Sequence, residues 1–287
     1  MKKRILSIIL AAMMVSSALV GCGSKEDKAA DADVKESQDA ESGESLDADP
    51  NVLIVGFDAE YPPYGYMDKN GEYTGFDLEL AEAVCELEGW ELVKKPIAWD
   101  SKDMTLNSGE IDCIWNGFTM NGRENDYTFS VPYVDNSQVI VVAESSGITT
   151  FADLAGKNVG VQAASAALDV LQSEEEGGQK ALSDTFGSLN EFADYNTAFT
   201  ELQAGALDAL AIDIGVAQYQ IESRGEGFMI LEETLNKEQY AIGFRKSDGA
   251  QLCETVNAAL QKLTNDGTVA ALAEKYGIAD MVILKAE

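Results

Sequence analysis

Any chemistry in this chain is done without histidine, because none occurs among its 287 residues. The commonest general base and the commonest metal ligand are thereby both removed, so triad hydrolases and His-ligated metal centres are excluded. Carboxylate, lysine and cysteine chemistry remain. Cys85, Cys113 and Cys253 follow no metal-ligand spacing and sit in apolar neighbourhoods, which reads as buried small hydrophobes, with a Cys85–Cys253 disulfide as the alternative. Leu207-Asp208-Ala209-Leu210-Ala211-Ile212-Asp213 is an apolar strand that ends on a carboxylate, and Asp213 also suits the N-cap of a helix beginning at Ile214. Gln162-Ala163-Ala164-Ser165-Ala166 opens a helix, where free amides favour an anion; Ser165 as a plain N-cap is the competing reading. Nothing in these patterns calls for a cofactor or a metal.

The elements that must position such groups follow from length and composition. With 46% apolar residues the chain is long enough for one large domain or two modest ones. Fifty acidic against 20 basic side chains give a net charge of −30, which repels phosphate backbones and argues against nucleic-acid binding. Residues 1–22 read as a targeting segment: Lys2-Lys3-Arg4, an apolar stretch too short to span a bilayer, then Leu19-Val20-Gly21-Cys22. Residues 23–50 carry Ser, Ala, Gly, Asp and Glu with almost no large apolar side chain, the composition of a disordered acidic tether.

From Asn51 onward strands and helices alternate. Val52–Val55 is a buried strand, and Phe76–Leu87 a helix with Leu78, Ala81 and Cys85 on one face. Further strands are expected at 90–96, 111–115, 137–143, 158–162, near 191–195, at 209–213 and at 239–245. Helices are expected near 101–108, 151–155, 165–172, 197–204, 251–265 and 269–276, the last two separated by Asp266-Gly267. This is a mixed α/β pattern, and element order alone also fits a single doubly wound enzyme domain.

The motifs distinguish the two. Gly75-Phe76-Asp77-Leu78-Glu79-Leu80-Ala81 resembles the signature of bacterial extracellular solute-binding proteins of family 3, the polar-amino-acid receptors of ABC transporters. Similar pieces stand in order: Gly56-Phe57-Asp58-Ala59-Glu60-Tyr61-Pro62-Pro63-Tyr64, Ser108-Gly109-Glu110-Ile111-Asp112, Phe129-Ser130-Val131-Pro132-Tyr133, Leu154-Ala155-Gly156-Lys157-Asn158-Val159-Gly160-Val161 and Asp266-Gly267-Thr268. Leu19 to Cys22 likewise resembles the lipobox of bacterial lipoproteins, whose Cys is acylated. The resemblance implies a two-lobed periplasmic-binding-protein fold of type II, each lobe a mixed sheet flanked by helices, with two hinge crossings. Lobe 1 is then 51–141 plus 242–287, and lobe 2 is 142–241.

The same resemblance implies a site. A buried amino acid needs a cation for its carboxylate and an anion for its ammonium. In Asn116-Gly117-Phe118-Thr119-Met120-Asn121-Gly122-Arg123, Arg123 matches the family's carboxylate-binding Arg, Thr119 the hydroxyl beside it, and Asn116 and Gly117 neighbouring contacts; the stretch between Thr119 and Arg123 is one residue shorter than the family pattern. Asp213 matches the ammonium-binding Asp. Asp58, Tyr61, Tyr64 and Trp99 match positions of the side-chain pocket, and Ser165 a contact from the second lobe, where Ala164 and Ala166 depart from the family's hydroxyls.

The function so implied is an extracytoplasmic, monomeric, non-enzymatic binding protein anchored to the cell membrane by lipid at Cys22. It takes a polar amino acid, with arginine, lysine or histidine favoured and glutamine or cystine next, and delivers it to ABC transporter permease subunits. The alternatives are a periplasmic enzyme on the same fold, similar to cyclohexadienyl dehydratases, with Asp58 or Glu60 as acid, and a sensory ligand-binding module.

Overall fold

The computed structural model describes residues 51–225 and 227–287; the expected targeting segment, Cys22 and the expected tether before Asn51 lie outside them. The first strand, β1 (Val52–Phe57), is followed by a small antiparallel meander of β2 (Glu60–Tyr61), β3 (Gly65–Met67) and β4 (Tyr73–Thr74). Helix α1 (Phe76–Glu88) then buries Leu78, Ala81, Val84 and Cys85 and stops at Gly89, whose φ of 73° is a left-handed cap. Strand β5 (Glu91–Pro96) returns parallel to β1, in register from Val52↔Glu91 to Phe57↔Pro96. A 3₁₀ turn at Trp99–Ser101 leads into α2 (Lys102–Asn107), then β6 (Cys113–Ile114) and β7 (Tyr127–Phe129).

The chain next enters a second sheet through β8 (Val134–Ala143), followed by β9 (Asn158–Gln162), α3 (Ala166–Gln172), α4 (Lys180–Ser183), β10 (Ser188–Phe192), α5 (Tyr195–Ala204), β11 (Ala209–Asp213), α6 (Ile214–Arg224) and β12 (Phe228–Tyr240). It returns with β13 (Gly243–Arg245), α7 (Ala250–Asn265) and α8 (Thr268–Lys275). The first sheet has the order β5-β1-β6-β13-β7 and the second β10-β9-β11-β8-β12. Both are mixed: β1 runs parallel to β5 and β6, whereas β8 runs antiparallel to β11 and β12.

Three apolar clusters make up the core of the described residues: the first runs from β1 into β8 and β11, and the third gathers Trp99, Leu106, Ile114 and Phe118 on the first sheet. Leu53, Val55, Leu78 and Ala81 pack with Val256, Leu260 and Leu263 of α7, which bury the stripe expected from their spacing. Ile140, Val142, Val159, Val161, Leu168 and Ala209 form the second. Cys85, Cys113 and Cys253 are free and buried, as the hydrophobe reading requires, so the disulfide alternative falls away.

Several boundaries move. The strand expected at 137–143 begins earlier, at Val134, and β8 pairs along its length with β12 and, from Gln138 to Val142, with β11. The apolar run marks the end of that strand, while its polar start, Asp135 to Ser137, carries no β signal. The strand expected at 239–245 is two strands in different sheets, joined across Ala241 and Ile242. The strand expected near 191–195 ends at Phe192 because Asp194 caps α5, accepting from the Thr197 amide at 2.7 Å.

Candidate functional site

Asp213 ends β11 with its side chain 3% exposed. It occupies the N-cap position of α6 but makes no capping bond, so the helix-cap reading does not describe its carboxylate. Oδ1 instead accepts from Asn136 Nδ2 at 2.8 Å, Gln138 Nε2 at 2.6 Å and Tyr240 Oη at 2.7 Å. Oδ2 accepts from the Tyr195 hydroxyl at a longer 3.4 Å. One oxygen is thus saturated and the other is held ready for a strong donor.

A second buried carboxyl stands beside it. Glu238 Oε1 accepts from the same two amides, Asn136 and Gln138, both at 2.8 Å, and from the Thr119 hydroxyl at 2.7 Å. Burial, and then the neighbouring Asp213, push the Glu238 carboxyl well above the usual range. Because Thr119 donates to Glu238, its oxygen is left as an acceptor toward the cavity. The Gly117 amide is also taken: it donates to Asp77 Oδ2 at 2.5 Å, where Tyr133 Oη also donates at 2.8 Å. Gly117 has a φ of 55°, and a Cβ there would lie 2.9 Å from ring atoms of both Tyr61 and Tyr240, so only glycine fits.

Arg123 comes from the loop between β6 and β7. The short stretch before it closes as a turn, with the Arg123 amide donating to Met120 O at 3.0 Å and Gly122 at φ 80°. Its guanidinium lies 5.2 Å from the Phe118 ring centroid and donates to Thr119 O at 3.3 Å and to Asp169 Oδ2, on α3, at 2.7 Å. Lys102 Nζ stands 5.3 Å from the Trp99 ring and donates to Ala164 O at 3.1 Å. Burial, and then Arg123, lower the Lys102 pKa. Two cations therefore flank one end of the cleft.

Tyr61, Trp99, Gly117, Thr119, Arg123, Ser165 and Asp213 line one small cavity of about 10 Å³, together with Gln162 and Ala166. That is about the room of one water. Ser165 does cap α3, accepting from the Leu168 amide at 3.2 Å, and still lines the cavity.

Three expected site residues do not line it. Tyr64 is fully buried in the core, edge-on to Tyr240. Asn116 works from behind: its Oδ1 accepts from the Asp58 amide at 2.9 Å. Asp58 reaches across the cleft, where Gln162 Nε2 donates to its Oδ2 at 2.6 Å. Burial pushes the Asp58 carboxyl up to about 6, against the lowering effect of bonds from the Glu60 amide and Gln162. Asp58 lines a neighbouring cavity of about 380 Å³ with Trp99, Glu60, Asp100 and Asp194, and no cation lines that space. Burial, and then Asp194, also raise the Glu60 pKa.

The sequence reading missed Gln162, Tyr195, Tyr240, Glu238, Asn136 and Gln138 as members of this constellation. Asn136 and Gln138 stand at i, i+2 on β8 and Glu238 faces Asn136 from β12; polar residues at that spacing beside an apolar strand run are the signal that could have found the first two. Among the described residues no group of three His, Cys, Asp or Glu side chains is placed to hold a metal ion.

The chain has known relatives. The L-cystine-binding protein TcyJ of Escherichia coli (strain K12) is 29% identical over 233 residues, covering 80% of this chain and 84% of that one. The arginine-binding extracellular protein ArtP of Bacillus subtilis (strain 168) is 30% identical over 280 residues, 96% of this chain and 98% of the relative. Among solved structures, a substrate-binding protein of an ABC uptake transporter from Streptococcus pneumoniae with bound histidine superposes with a TM-score of 0.76. It is 33% identical and the match covers 82% of this chain and 95% of that one. With the family profile matching residues 53–279, the two-lobed type II fold and these relatives agree: the chain belongs to the bacterial extracellular solute-binding proteins, family 3.

Proposed function

We propose that the protein binds a polar L-amino acid between its lobes, without catalysing a reaction, and delivers it to the permease of an ABC transporter. The observation that carries this reading is the pairing of opposite charges on one cavity: Arg123 from the first lobe and Asp213, with Oδ2 underused, from the second. A free amino acid presents a carboxylate and an ammonium, and these two side chains complement them. Thr119, Ser165 and Tyr61 complete the backbone-reading part, with Gly117 fixing the loop. Asp58, Trp99 and Gln162 receive the side chain.

A basic side chain suits the pocket best, because Asp58, Glu60, Asp100 and Asp194 gather beside Trp99 with no cation among them. The relatives' names support an amino acid ligand and include cystine, arginine and histidine. Residues 1–22 are read as a lipoprotein signal and Cys22 as the lipid-bearing residue, with 23–50 as the tether holding a monomeric receptor near its permease; the basic start and Leu19-Val20-Gly21-Cys22 support this.

A thermal-shift screen of the twenty amino acids plus cystine and ornithine tests the reading. One or two strong hits are expected, since ligand at about 100 times its Kd adds roughly 2.7 kcal/mol of stability. No shift with any of them refutes an amino acid ligand.

A further inference from the structure

Lys102 is 5% exposed. A lysine that served only its own helix would lay its stem along the surface and keep its ammonium in water, because burying the charge is costly unless a partner holds it. Lys102 opens α2, which packs against β6 and β13 of the first sheet, and its Nζ donates to Ala164 O at 3.1 Å. Ala164 lies between β9 and α3, on the side of the second sheet. The bond therefore spans the cleft.

The acceptor residue is itself unusual. Ala164 has a φ of 53°, and among the described residues it is the one non-glycine residue at positive φ. Residues with a Cβ rarely adopt that conformation and keep it only where the surroundings hold them in place. A buried cation and a strained backbone thus meet at one hydrogen bond.

Both ends of the bond stand beside groups that line the cavity assigned to the amino acid. The ammonium lies 5.3 Å from the centroid of the Trp99 ring, and Ala164 directly precedes Ser165, which caps α3. Trp99 and Ser165 line that cavity, whereas Lys102 does not; it lines a neighbouring one of about 460 Å³ with Arg123, Ala164 and Asp169. Lys102 can act on a ligand only through these neighbours. One turn along α3, Arg123 also crosses the cleft to Asp169, but that carboxylate is exposed and such a pair contributes little. A charged donor on a carbonyl shielded from water contributes more.

Given the amino acid site proposed above, we infer that Lys102 is a positioning residue for binding: its bond to Ala164 O ties the two sides of the cleft together behind Trp99 and Ser165 and slows release of the ligand without touching it.

Lys102→Met tests this, since it keeps a buried apolar stem and loses the donor. The twenty amino acids plus cystine and ornithine are the probes, and the strongest thermal-shift hit on the wild type is carried into stopped-flow kinetics. In Lys102→Met the Kd should rise about tenfold, nearly all of it as faster dissociation. The Tm of the ligand-free variant should be unchanged or higher, because an apolar side chain replaces a buried charge. Asp169→Ala should change the Kd by less than about fivefold. An unchanged dissociation rate in Lys102→Met overturns the inference. So does a loss of affinity matched by a loss of ligand-free stability, including failure to fold, which would make Lys102 a scaffold residue only. If no probe shifts the wild type, the amino acid reading fails and the role of Lys102 falls with it; if the wild type binds and Lys102→Met binds equally, only the role of Lys102 fails.

Discussion

Arg123 Nη2 and Asp169 Oδ2 meet at 2.7 Å across the cleft, the first on the loop after β6 and the second on α3 of the other lobe. The guanidinium expected to read a ligand carboxylate thus also holds a protein carboxylate, and that contact exists only with the lobes together. Arg123 is 14% exposed in its side chain and Asp169 62%, so the pair is worth little by itself. An arginine has donors enough for both partners.

The two ends of this pair should therefore behave differently. Arg123→Ala is expected to cost about 3 to 5 kcal/mol of amino acid binding by leaving the ligand carboxylate unpaired. Asp169→Ala should cost no more than about 1 kcal/mol and become less costly at high salt. Titration calorimetry at two ionic strengths measures both, and equal losses would contradict the assignment of Arg123.

Asp213→Asn removes the charge proposed to meet the ligand ammonium while keeping the shape of the group. A loss of about 3 to 5 kcal/mol in binding is expected, with little change in the stability of the free protein, since Asn136, Gln138 and Tyr240 keep an oxygen acceptor. Wild-type affinity in this variant removes Asp213 from the site.

Gly117→Ala should destabilise the protein by about 1 to 3 kcal/mol, because the positive φ is unfavourable for alanine and the added methyl meets Tyr61 and Tyr240. Chemical denaturation checks this. A neutral outcome would mean the two tyrosines can move apart.

Two buried carboxyls make stability depend on pH. Burial pushes Asp77 up to about 7 from 3.8 and Asp58 up to about 6 from the same value. The folded state then binds more protons than the unfolded one between these limits, so their contribution is fully present below about pH 4 and is lost as pH rises through about 6 to 7. Asp77→Asn should flatten that part of the stability profile and gain, relative to wild type, on the order of a few kcal/mol at pH 8. Tm measured from pH 5 to 8 for both proteins gives the comparison.

For a ligand with a cationic side chain the sign reverses at Asp58. Only the ionised carboxylate attracts the cation, so affinity should fall as pH drops below about 6, with Glu60 and Asp194 the other acidic groups facing it. Asp58→Asn should weaken such a ligand and abolish that pH dependence. A glutamine-like ligand would show neither effect.

The sequence by itself determined the mixed α/β pattern, the family and most helices, because α1 and α7 carry apolar stripes at helical spacing and the motifs keep their order. It also marked Arg123, Asp213, Thr119 and Trp99, which converge on one cavity although up to 114 positions apart, from Trp99 to Asp213. Pairing partners were decided only in three dimensions. Whether Ser137–Ala143 belongs to one sheet or the other depends on which strand offers its edge, and local composition carries no record of that choice. The same holds for Glu238 and Gln162, ordinary polar residues in sequence. Glu238 becomes a buried partner of Thr119 because Thr119 bridges Tyr240 at the end of β12, and Gln162, at the end of β9, meets Asp58, just after β1.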